Sequence, residues 1–221
     1  MILSIDDLDR FNQKKIGILG GSFDPPHFGH LEMAEAVIQQ YDLDAFIFVP
    51  AKKNPLKVSS PGASEEQRLD MLELLVKSSE YSDFFILDYE LKSKESSYAV
   101  STLKAIKEKT NSNLHFVMGA DQLDSNNQTR LVKWYQKDQL FDLANLVFVA
   151  RDSFNVEEVS ASDFNDQQLA EIKSNFVSFN FSVSSTEIRA HFRKNGNIKE
   201  IEHLIPAEIT QYIIANSLYQ S

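Results

Sequence analysis

The chain alternates short apolar runs with longer segments in which apolar and polar residues mix. Six of the runs are rich in β-branched and aromatic residues and are short enough to be buried strands. They are residues 14–20, 45–50, 84–91, 114–119, 146–150 and 176–183. Several of them lack the polar face that a strand exposed to water would carry. The runs therefore predict a parallel sheet that is covered on both sides.

The segments between the runs carry apolar residues at helical spacing, as in residues 30–42, 64–79 and 98–110. The second segment opens with Ser64 and has Gln67 three positions later, which predicts a capping box at the start of a helix. Alternating strands and helices are typical of a doubly wound, Rossmann-like α/β sheet with helices on both faces. The sequence predicts that fold class.

Beyond residue 184 the pattern becomes helical, and Pro206 fits the first turn of a final helix. Two polar stretches are expected to be long surface loops, which commonly shape the substrate site of an α/β domain. They are residues 54–64 and 151–168. We expect one domain, 1–221, with an N-terminal extension (1–13), an α/β core (14–183) and a small C-terminal helical part (184–221). The pattern assigns no role to the extension.

Composition narrows the class of protein. Of the 221 residues, 43% are hydrophobic, which is enough for a substantial core. Asp and Glu outnumber Lys and Arg by 32 to 22, and the formal charge of −10 argues against general nucleic-acid binding because it repels a polyanion. The absence of cysteine excludes disulfides and thiolate chemistry. No apolar run approaches the roughly 20 residues of a membrane helix. We therefore expect a soluble, cytoplasmic protein without a membrane partner.

The stretch GILGGSFDPPHFGH, residues 17–30, concentrates glycine, proline and histidine where the first predicted strand ends. Gly20 and Gly21 allow the backbone to turn sharply and to bring main-chain N–H groups close to a ligand. Two prolines then fix the chain before a helix that we expect to begin near Phe28. The glycine pair therefore indicates close approach of a phosphate group.

His27 and His30 lie three positions apart at the predicted start of that helix. A helix N-terminus carries unpaired N–H donors and a partial positive charge, and two imidazoles there add donors and positive potential. We therefore expect a site for nucleotide phosphates. Glycines that are merely generic to α/β folds are one alternative, and a zinc site is another, although no third ligand lies nearby. The absence of G-x-G-x-x-G disfavours an NAD-dependent dehydrogenase.

Two separate motifs resemble those of a known superfamily. Residues 20–30, GGSFDPPHFGH, match the (H/T)xGH region of nucleotidyltransferases, and residues 183–189, VSSTEIR, resemble their second motif, (I)SSTxIR. Read alone, the second motif would be a helix cap followed by a solvated arginine. Within the superfamily, the segments GADQL, WYQ and LIPAEITQYIIANSLY are most similar to bacterial nicotinate-nucleotide adenylyltransferases. The resemblance covers residues 14–219.

The resemblance implies adenylyl transfer from ATP to the phosphate of nicotinate mononucleotide, giving deamido-NAD and pyrophosphate in NAD biosynthesis. The attacking phosphate is already an anionic nucleophile, so catalysis needs positioning and charge neutralisation without a covalent intermediate. ATP would bring Mg2+, for which the sequence shows no protein cage, and Asp24 is the only acidic residue that suggests itself as a ligand. The implied partners are ATP and nicotinate mononucleotide, and homo-oligomer formation stays open.

The resemblance also assigns site residues. The catalytic candidates are His27, His30 and Arg189. The ATP-binding candidates are Gly20, Gly21, Ser22, Phe23, Lys57, Gly119, Asp121, Ser184, Ser185 and Thr186. The substrate-binding candidates are Ser97, Tyr98, Ala99, Trp134, Tyr135 and Arg151.

Some of these assignments have competing interpretations. Trp134 would stack on the pyridine ring, and core packing is its alternative role. Leu56 stands where the family often has histidine, and Ala99 where it often has threonine. Adenylyl transfer to nicotinamide mononucleotide or phosphopantetheine is the nearest alternative function. A module that binds nucleotides without catalysis is an alternative from a different class.

Overall fold

The computed structural model describes residues 1–52, 62–94, 96–124, 130–150, 159, 163–178, 183–194 and 196–220. Within these residues, seven parallel strands form one sheet in the order β1-β4-β3-β2-β5-β6-β7. The strands are β1 (Ile2–Leu3), β2 (Lys15–Gly21), β3 (Ala45–Pro50), β4 (Phe84–Leu87), β5 (Asn113–Gly119), β6 (Asn145–Ala150) and β7 (Phe176–Ser178). The predicted doubly wound fold is confirmed.

Helices connect the strands and cover both faces of the sheet. The α-helices are α1 (Phe28–Tyr41), α2 (Glu65–Lys77), α3 (Tyr89–Lys92), α4 (Ala99–Lys109), α5 (Lys137–Leu143), α6 (Asp166–Ser174), α7 (Ser185–Arg193) and α8 (Ala207–Ala215). Short 3-10 helices span Ile5–Phe11, Ala120–Leu123, Leu131–Lys133 and Ile198–Glu200. The predicted capping box is present, because Gln67 N donates to Ser64 Oγ at 3.2 Å and Ser64 N donates to Gln67 Oε1 at 2.9 Å.

Successive residues of a strand face opposite sides of the sheet and enter two separate cores. In β3, Phe46 and Phe48 join the first core, whereas Ile47 and Val49 join the second. The first core includes side chains of α1, α2, α7 and α8. The second includes side chains of α4, α5, α6 and the first 3-10 helix. Burial on both faces explains why the strand sequences lack polar alternation.

Two predicted strands are shorter in the structure. The run at 84–91 leaves the sheet after Leu87 and continues as the helical turn α3, with Asp88 as its N-cap residue. The run at 176–183 is a strand over Phe176–Ser178, and residues 179–182 lie outside the described part of the chain. The loop predicted at 54–64 gives way to α2 from Glu65, but most of it and most of 151–168 are also outside the described residues.

Residues 1–13 join the sheet and the second core. Ile2 and Leu3 pair with Ile86 and Leu87 as the edge strand β1. Leu8, on the 3-10 helix that follows, is fully buried. The segment that the sequence sets apart as an extension therefore extends the sheet by one strand and covers part of its second face.

The C-terminal helices pack on the first face of the sheet. Ile188 of α7 and Ile209 and Ile213 of α8 are fully buried there. Pro206 is the N-cap residue of α8, one position before the helix begins, and this is close to its predicted place in the first turn. Across the described ranges, the structure shows no helix both long and apolar enough to cross a membrane.

Candidate active site

The chain order of the strands reverses between β2 and β5. From β2 the chain moves to β3 and then to β4 on one side, whereas β5, β6 and β7 extend the sheet on the other side. Leu19 pairs with Val117, and both strands run two residues further, to Gly21 and Gly119. Ligands of open α/β sheets bind beyond the carboxyl ends of the strands at such a point. The glycine-rich loop and the start of GADQL therefore lie side by side at this position.

Gly20 lies at the exposed end of β2, and a Cβ there would meet no atom within 4 Å. A Cβ on Gly21 would lie 3.1 Å from the ring of Phe23. Phe23 has a positive φ of 48° and a side chain that is 2% exposed, and it packs edge-on against Phe48 and His30. Phe23 can therefore present only its main chain to a nucleotide, whereas Gly20 leaves open space for one.

His27 and His30 are placed together by the start of α1. His27 is the N-cap residue and is 6% exposed, and the two ring centroids are 3.8 Å apart. The main-chain N–H of His27 donates to Nδ1 of His30 at 3.2 Å. Because that nitrogen is an acceptor, a neutral His30 ring carries its proton on Nε2. Nδ1 of His27 is buried and has no hydrogen-bond partner among the described residues.

Burial keeps both imidazoles neutral in the ligand-free protein. It lowers the pKa of His27 to about 2, with a smaller contribution from His30, and it lowers the pKa of His30 to about 4. This differs from the positive potential expected from the sequence. The first N–H of α1, on Phe28, is also occupied, since it donates to the carbonyl of Leu204 at 3.0 Å. The histidines can thus serve a phosphate as neutral donors.

The second motif contacts the first directly. Ser185 Oγ donates to the carbonyl of Pro25 at 2.8 Å, and Arg189 Nη1 donates to the carbonyl of Asp24 at 2.6 Å. Arg189 Nη2 also donates to Thr186 Oγ1 at 3.1 Å. The two motifs, separated by about 160 residues of sequence in these contacts, therefore form one structural unit.

Ser184 caps a helix, which is the alternative role that the sequence analysis gave to the second motif. Its Oγ accepts from Glu187 N at 3.2 Å, and its own N–H donates to Glu187 Oε2 at 2.9 Å. The residue therefore caps α7, and its hydroxyl and N–H are both engaged in the capping box.

The carboxylate of Asp24 accepts hydrogen bonds from other parts of the chain. Its carboxylate accepts from Gly62 N at 2.8 Å, Ala63 N at 3.0 Å and Tyr219 OH at 2.7 Å. Both carboxylate oxygens are engaged in these bonds, which leaves the interpretation of Asp24 as a metal ligand without support. Throughout the described ranges, no group of three or more His, Asp or Glu side chains could hold a metal ion.

Gly119 and Asp121 lie at the end of β5. A Cβ on Gly119 would overlap Oδ1 of Asp121, so glycine is required for this carboxylate position. Asp121 is exposed and accepts from Gln122 Nε2 at 2.9 Å. Its carboxylate therefore faces solvent at the switch point, where the sequence places a nucleotide contact.

The predicted acceptor-binding residues lie next to the end of β3. Ala51 N donates to the carbonyl of Gly21 at 2.8 Å, and Lys52 N donates to Ser97 Oγ at 3.0 Å. Ser97 is followed by Tyr98, the N-cap residue of α4, and by Ala99, the first residue of that helix. The start of α4 is therefore tied to the glycine-rich loop through two hydrogen bonds.

Two aromatic residues lie near this helix start. Tyr135 is 55% exposed, and its ring centroid is 4.9 Å from that of Tyr98. Trp134 is half-buried and packs edge-on against Phe116 at 6.2 Å, so it belongs in part to the second core. Lys57 and Arg151 lie outside the described residues.

The sequence profile of the cytidylyltransferase-like family matches residues 18–191. The nicotinate-nucleotide adenylyltransferase of Bacillus subtilis (strain 168) is 35% identical over 209 residues, which cover 94% of this chain and 100% of that protein. The chain belongs to the nicotinate-nucleotide adenylyltransferase family. The sequence interpretation of the two motifs is thereby confirmed at the level of the family.

Solved structures of this family share the fold. The Plasmodium falciparum nicotinic acid mononucleotide adenylyltransferase complexed with NaAD is 21% identical, with a TM-score of 0.70 over 94% of this chain and 98% of that one. The same enzyme complexed with APC is 22% identical with a TM-score of 0.70 over the same shares. The similarity extends across nearly the whole adenylyltransferase chain.

Arg68 is a residue of this adenylyltransferase site that sequence reasoning missed. It is fully buried on α2, and its Nη1 donates to the carbonyl of Ser22 at 2.7 Å. Burial lowers the pKa of its guanidinium, while Asp24 opposes that shift. A signal was available, because Arg68 shares a helix face with the buried Met71, Leu72 and Leu75. An arginine on an apolar face indicates a buried polar partner.

Proposed function

We propose that this chain transfers the adenylyl group of ATP to nicotinate mononucleotide and releases pyrophosphate. The observation that carries the proposal is the contact of the second motif with the first, in which Ser185 and Arg189 bond to the carbonyls of Pro25 and Asp24. The resulting unit brings two imidazoles and a guanidinium to the glycine-rich turn at the switch point. Membership of the nicotinate-nucleotide adenylyltransferase family supports the reaction and the acceptor.

In this reaction, an oxygen of the mononucleotide phosphate forms a bond to the α-phosphorus of ATP. The bond from that phosphorus to the bridging oxygen of the β-phosphate breaks, and its electron pair leaves with pyrophosphate. No proton must be removed from the nucleophile, so the proposal needs no general base. The protein's task is to align the two phosphates and to stabilise the charge of the leaving group.

The site supplies different donors for these tasks. Nε2 of His30 offers a neutral N–H, and Arg189 offers a full positive charge that stays near the loop through Asp24. Nδ1 of His27 is buried without a partner among the described residues, so the proposal gives His27 a phosphate contact through its other ring nitrogen. We assign His27, His30 and Arg189 to the triphosphate, and Gly20, Gly21 and the main chain of Ser22 and Phe23 to its close approach.

Magnesium would enter as part of the nucleotide substrate. Both carboxylate oxygens of Asp24, the acidic residue of the loop, accept from protein donors, so the fit is to an ion held by phosphate oxygens and water. Bound in that way, Mg2+ would neutralise part of the triphosphate charge. The side chains of this chain would contact the phosphates around it.

The acceptor would lie against the start of α4. Main-chain N–H groups at a helix N-terminus suit a carboxylate, and Ser97, Tyr98 and Ala99 stand at that position. Trp134 and Tyr135 offer aromatic faces for the pyridine ring. Gly119 and Asp121 would contact the nucleotide at the end of β5. Lys57 and Arg151 stay in the proposal on the basis of the sequence resemblance alone.

The decisive measurement is pyrophosphate release from MgATP with three acceptors offered separately. Nicotinate mononucleotide should support release, and nicotinamide mononucleotide and phosphopantetheine should support it far less. A preference for either of the other acceptors would keep the chemistry and refute the substrate. Binding of ATP without release for any acceptor would refute the enzymatic proposal in favour of a nucleotide-sensing module.

A further inference from the structure

Two arginines from distant helices donate to main-chain carbonyls of the loop between β2 and α1. Arg68 donates to the carbonyl of Ser22 at 2.7 Å, and Arg189 donates to the carbonyl of Asp24 at 2.6 Å. Carbonyl oxygens repel an anion, whereas N–H groups bind it. Donors that occupy these carbonyls therefore favour a loop conformation suited to a phosphate ligand.

The carboxylate of Asp24 accepts three further hydrogen bonds. It is 5% exposed and accepts from Gly62 N and Ala63 N at 2.8 and 3.0 Å. Gly62 is the first described residue after the segment that carries Lys57. The shortest bond comes from Tyr219 OH, at 2.7 Å. One buried carboxylate thus joins the phosphate-binding loop to two other parts of the chain.

Tyr219 lies in the turn that follows α8, far in sequence from both motifs. It is 7% exposed and has a positive φ of 62°, a conformation that costs a side-chain-bearing residue free energy. A Cβ on Gly62 would lie 2.9 Å from the Tyr219 ring, so the two residues pack closely. Burial and the adjacent Asp24 raise the pKa of the Tyr219 hydroxyl, which therefore remains a donor.

Three features of Tyr219 bear on the position of the Asp24 carboxylate. A phenol that is buried, bonded to a carboxylate of the first motif and held in a strained backbone conformation fixes that carboxylate in place. Asp24 also lies 3.9 Å from Arg189 through Oδ2, so its position affects the guanidinium as well. Displacement of Asp24 would therefore disturb the loop and the second motif together.

We propose that Tyr219 is a positioning residue for adenylyl transfer and acts through Asp24 on the phosphate-binding loop. The inference rests on the proposed function, because its kinetic test measures adenylyl transfer. It adds to the site a residue from the turn after α8, which neither motif contains. Tyr219 touches no reacting atom in this proposal, and its effect passes through the Asp24 carboxylate.

The test compares two tyrosines that each donate to an aspartate at 2.7 Å. Tyr219→Phe removes the bond to Asp24, and Tyr212→Phe removes a bond to Asp70 that joins α8 to α2. We expect Tyr219→Phe to lower kcat/KM for ATP by about 10-fold or more, on the scale of a misplaced reacting group. Tyr212→Phe should leave kcat/KM unchanged.

The kinetic pattern separates positioning from loss of folded protein. Both variants are assayed at a temperature where circular dichroism shows them fully folded. Positioning raises KM for ATP and leaves KM for nicotinate mononucleotide unchanged. A purely structural role would leave kcat and both KM values of the folded variants unchanged, and that result, or equal behaviour of the two variants, would overturn the proposal.

A double-mutant comparison tests whether the effect passes through Asp24. In the background of Asp24→Ala, which removes the acceptor, the further change Tyr219→Phe should cause little additional loss, because the hydroxyl has already lost its partner. Losses that simply multiply would contradict the route through Asp24. If Asp24→Ala does not fold, the Tyr219→Phe and Tyr212→Phe pair still decides the proposal.

Failure of the proposed function would be recognised separately. If the unmodified protein releases no pyrophosphate with any acceptor, the same two variants are compared by calorimetric titration with MgATP. Weaker MgATP binding by Tyr219→Phe alone, by about 10-fold or more, supports the positioning role without turnover. Equal affinity of Tyr219→Phe and the unmodified protein overturns it.

Discussion

His30 is oriented by the main chain and not by a second ionised group. Its Nδ1 accepts the N–H of His27 at 3.2 Å, and burial lowers its pKa to about 4. The ring is therefore neutral at neutral pH, with Nε2 as its donor. A neutral donor of fixed orientation stabilises developing charge on a phosphate without the cost of burying an imidazolium.

His30→Ala should lower kcat for pyrophosphate release by at least about 100-fold, the scale of losing one donor to a transition state. His30→Gln is the informative companion, because its amide nitrogen can replace an Nε2–H donor without carrying charge. We expect His30→Gln to retain clearly more activity than His30→Ala. Near-normal turnover of His30→Ala would remove the residue from the mechanism, and equal losses in the two variants would contradict its role as a neutral donor that an amide can replace.

The residues that the sequence located are those with a local reason to be there. Glycines at a strand end and histidines at a helix start can be recognised because the strand and helix patterns lie next to them in the sequence. Arg68 and Tyr219 reach the same loop from α2 and from the turn after α8. Their role depends on tertiary contacts. Helical periodicity in a single sequence does not show which distant segments lie close together in the fold.

At the scale of elements, α7 combines a structural role with a functional one. Its first turn is closed by the capping box of Ser184 and Glu187, while Ser185 and Arg189 reach the loop after β2. A cap fixes where the helix begins, and thereby the direction in which Arg189 points. The motif SSTEIR thus caps the helix, as its local sequence predicts, and also brings Arg189 to the loop after β2.

Ser184→Ala should lower the free energy of unfolding by about 1 kcal/mol, because it removes one N-cap side chain. Its matched control is Ser64→Ala, which breaks the same kind of box at the start of α2. Urea unfolding should give similar losses for both variants. The KM for ATP should stay near the value of the unmodified protein in both variants. A rise confined to Ser184→Ala would indicate that the Ser184 hydroxyl contributes to ATP binding.

Elements with a long apolar pattern could be predicted, and those without one could not. Strands β2, β3, β5 and β6 have five or more residues buried or paired in the sheet, so their runs stand out. Strand β1 has two residues, too few for any period. The run at 84–91 was predicted too long because Tyr89 and Leu91 are apolar in sequence but belong to the turn α3.

At the scale of the whole molecule, each face of the sheet has its own cover. Helices α1, α2, α7 and α8 pack on the face that carries the loop's buried contacts, and Leu8 and Phe11 of the first 3-10 helix pack on the other. The segment 1–13 is therefore separated from the phosphate-binding loop by the sheet itself. It should therefore contribute to stability without affecting ATP binding.

Leu8 provides the test of that separation. Its side chain is fully buried in the second core, and Leu8→Ala should lower the free energy of unfolding by about 2–5 kcal/mol through lost burial and the cavity left behind. Ile5→Ala, on the same 3-10 helix but only partly buried, should cost less in the same urea titration. Under conditions where both variants are folded, the KM for ATP should equal that of the unmodified protein. A changed KM for ATP would mean that the second face communicates with the loop through the sheet, because neither residue lies on the face that holds it.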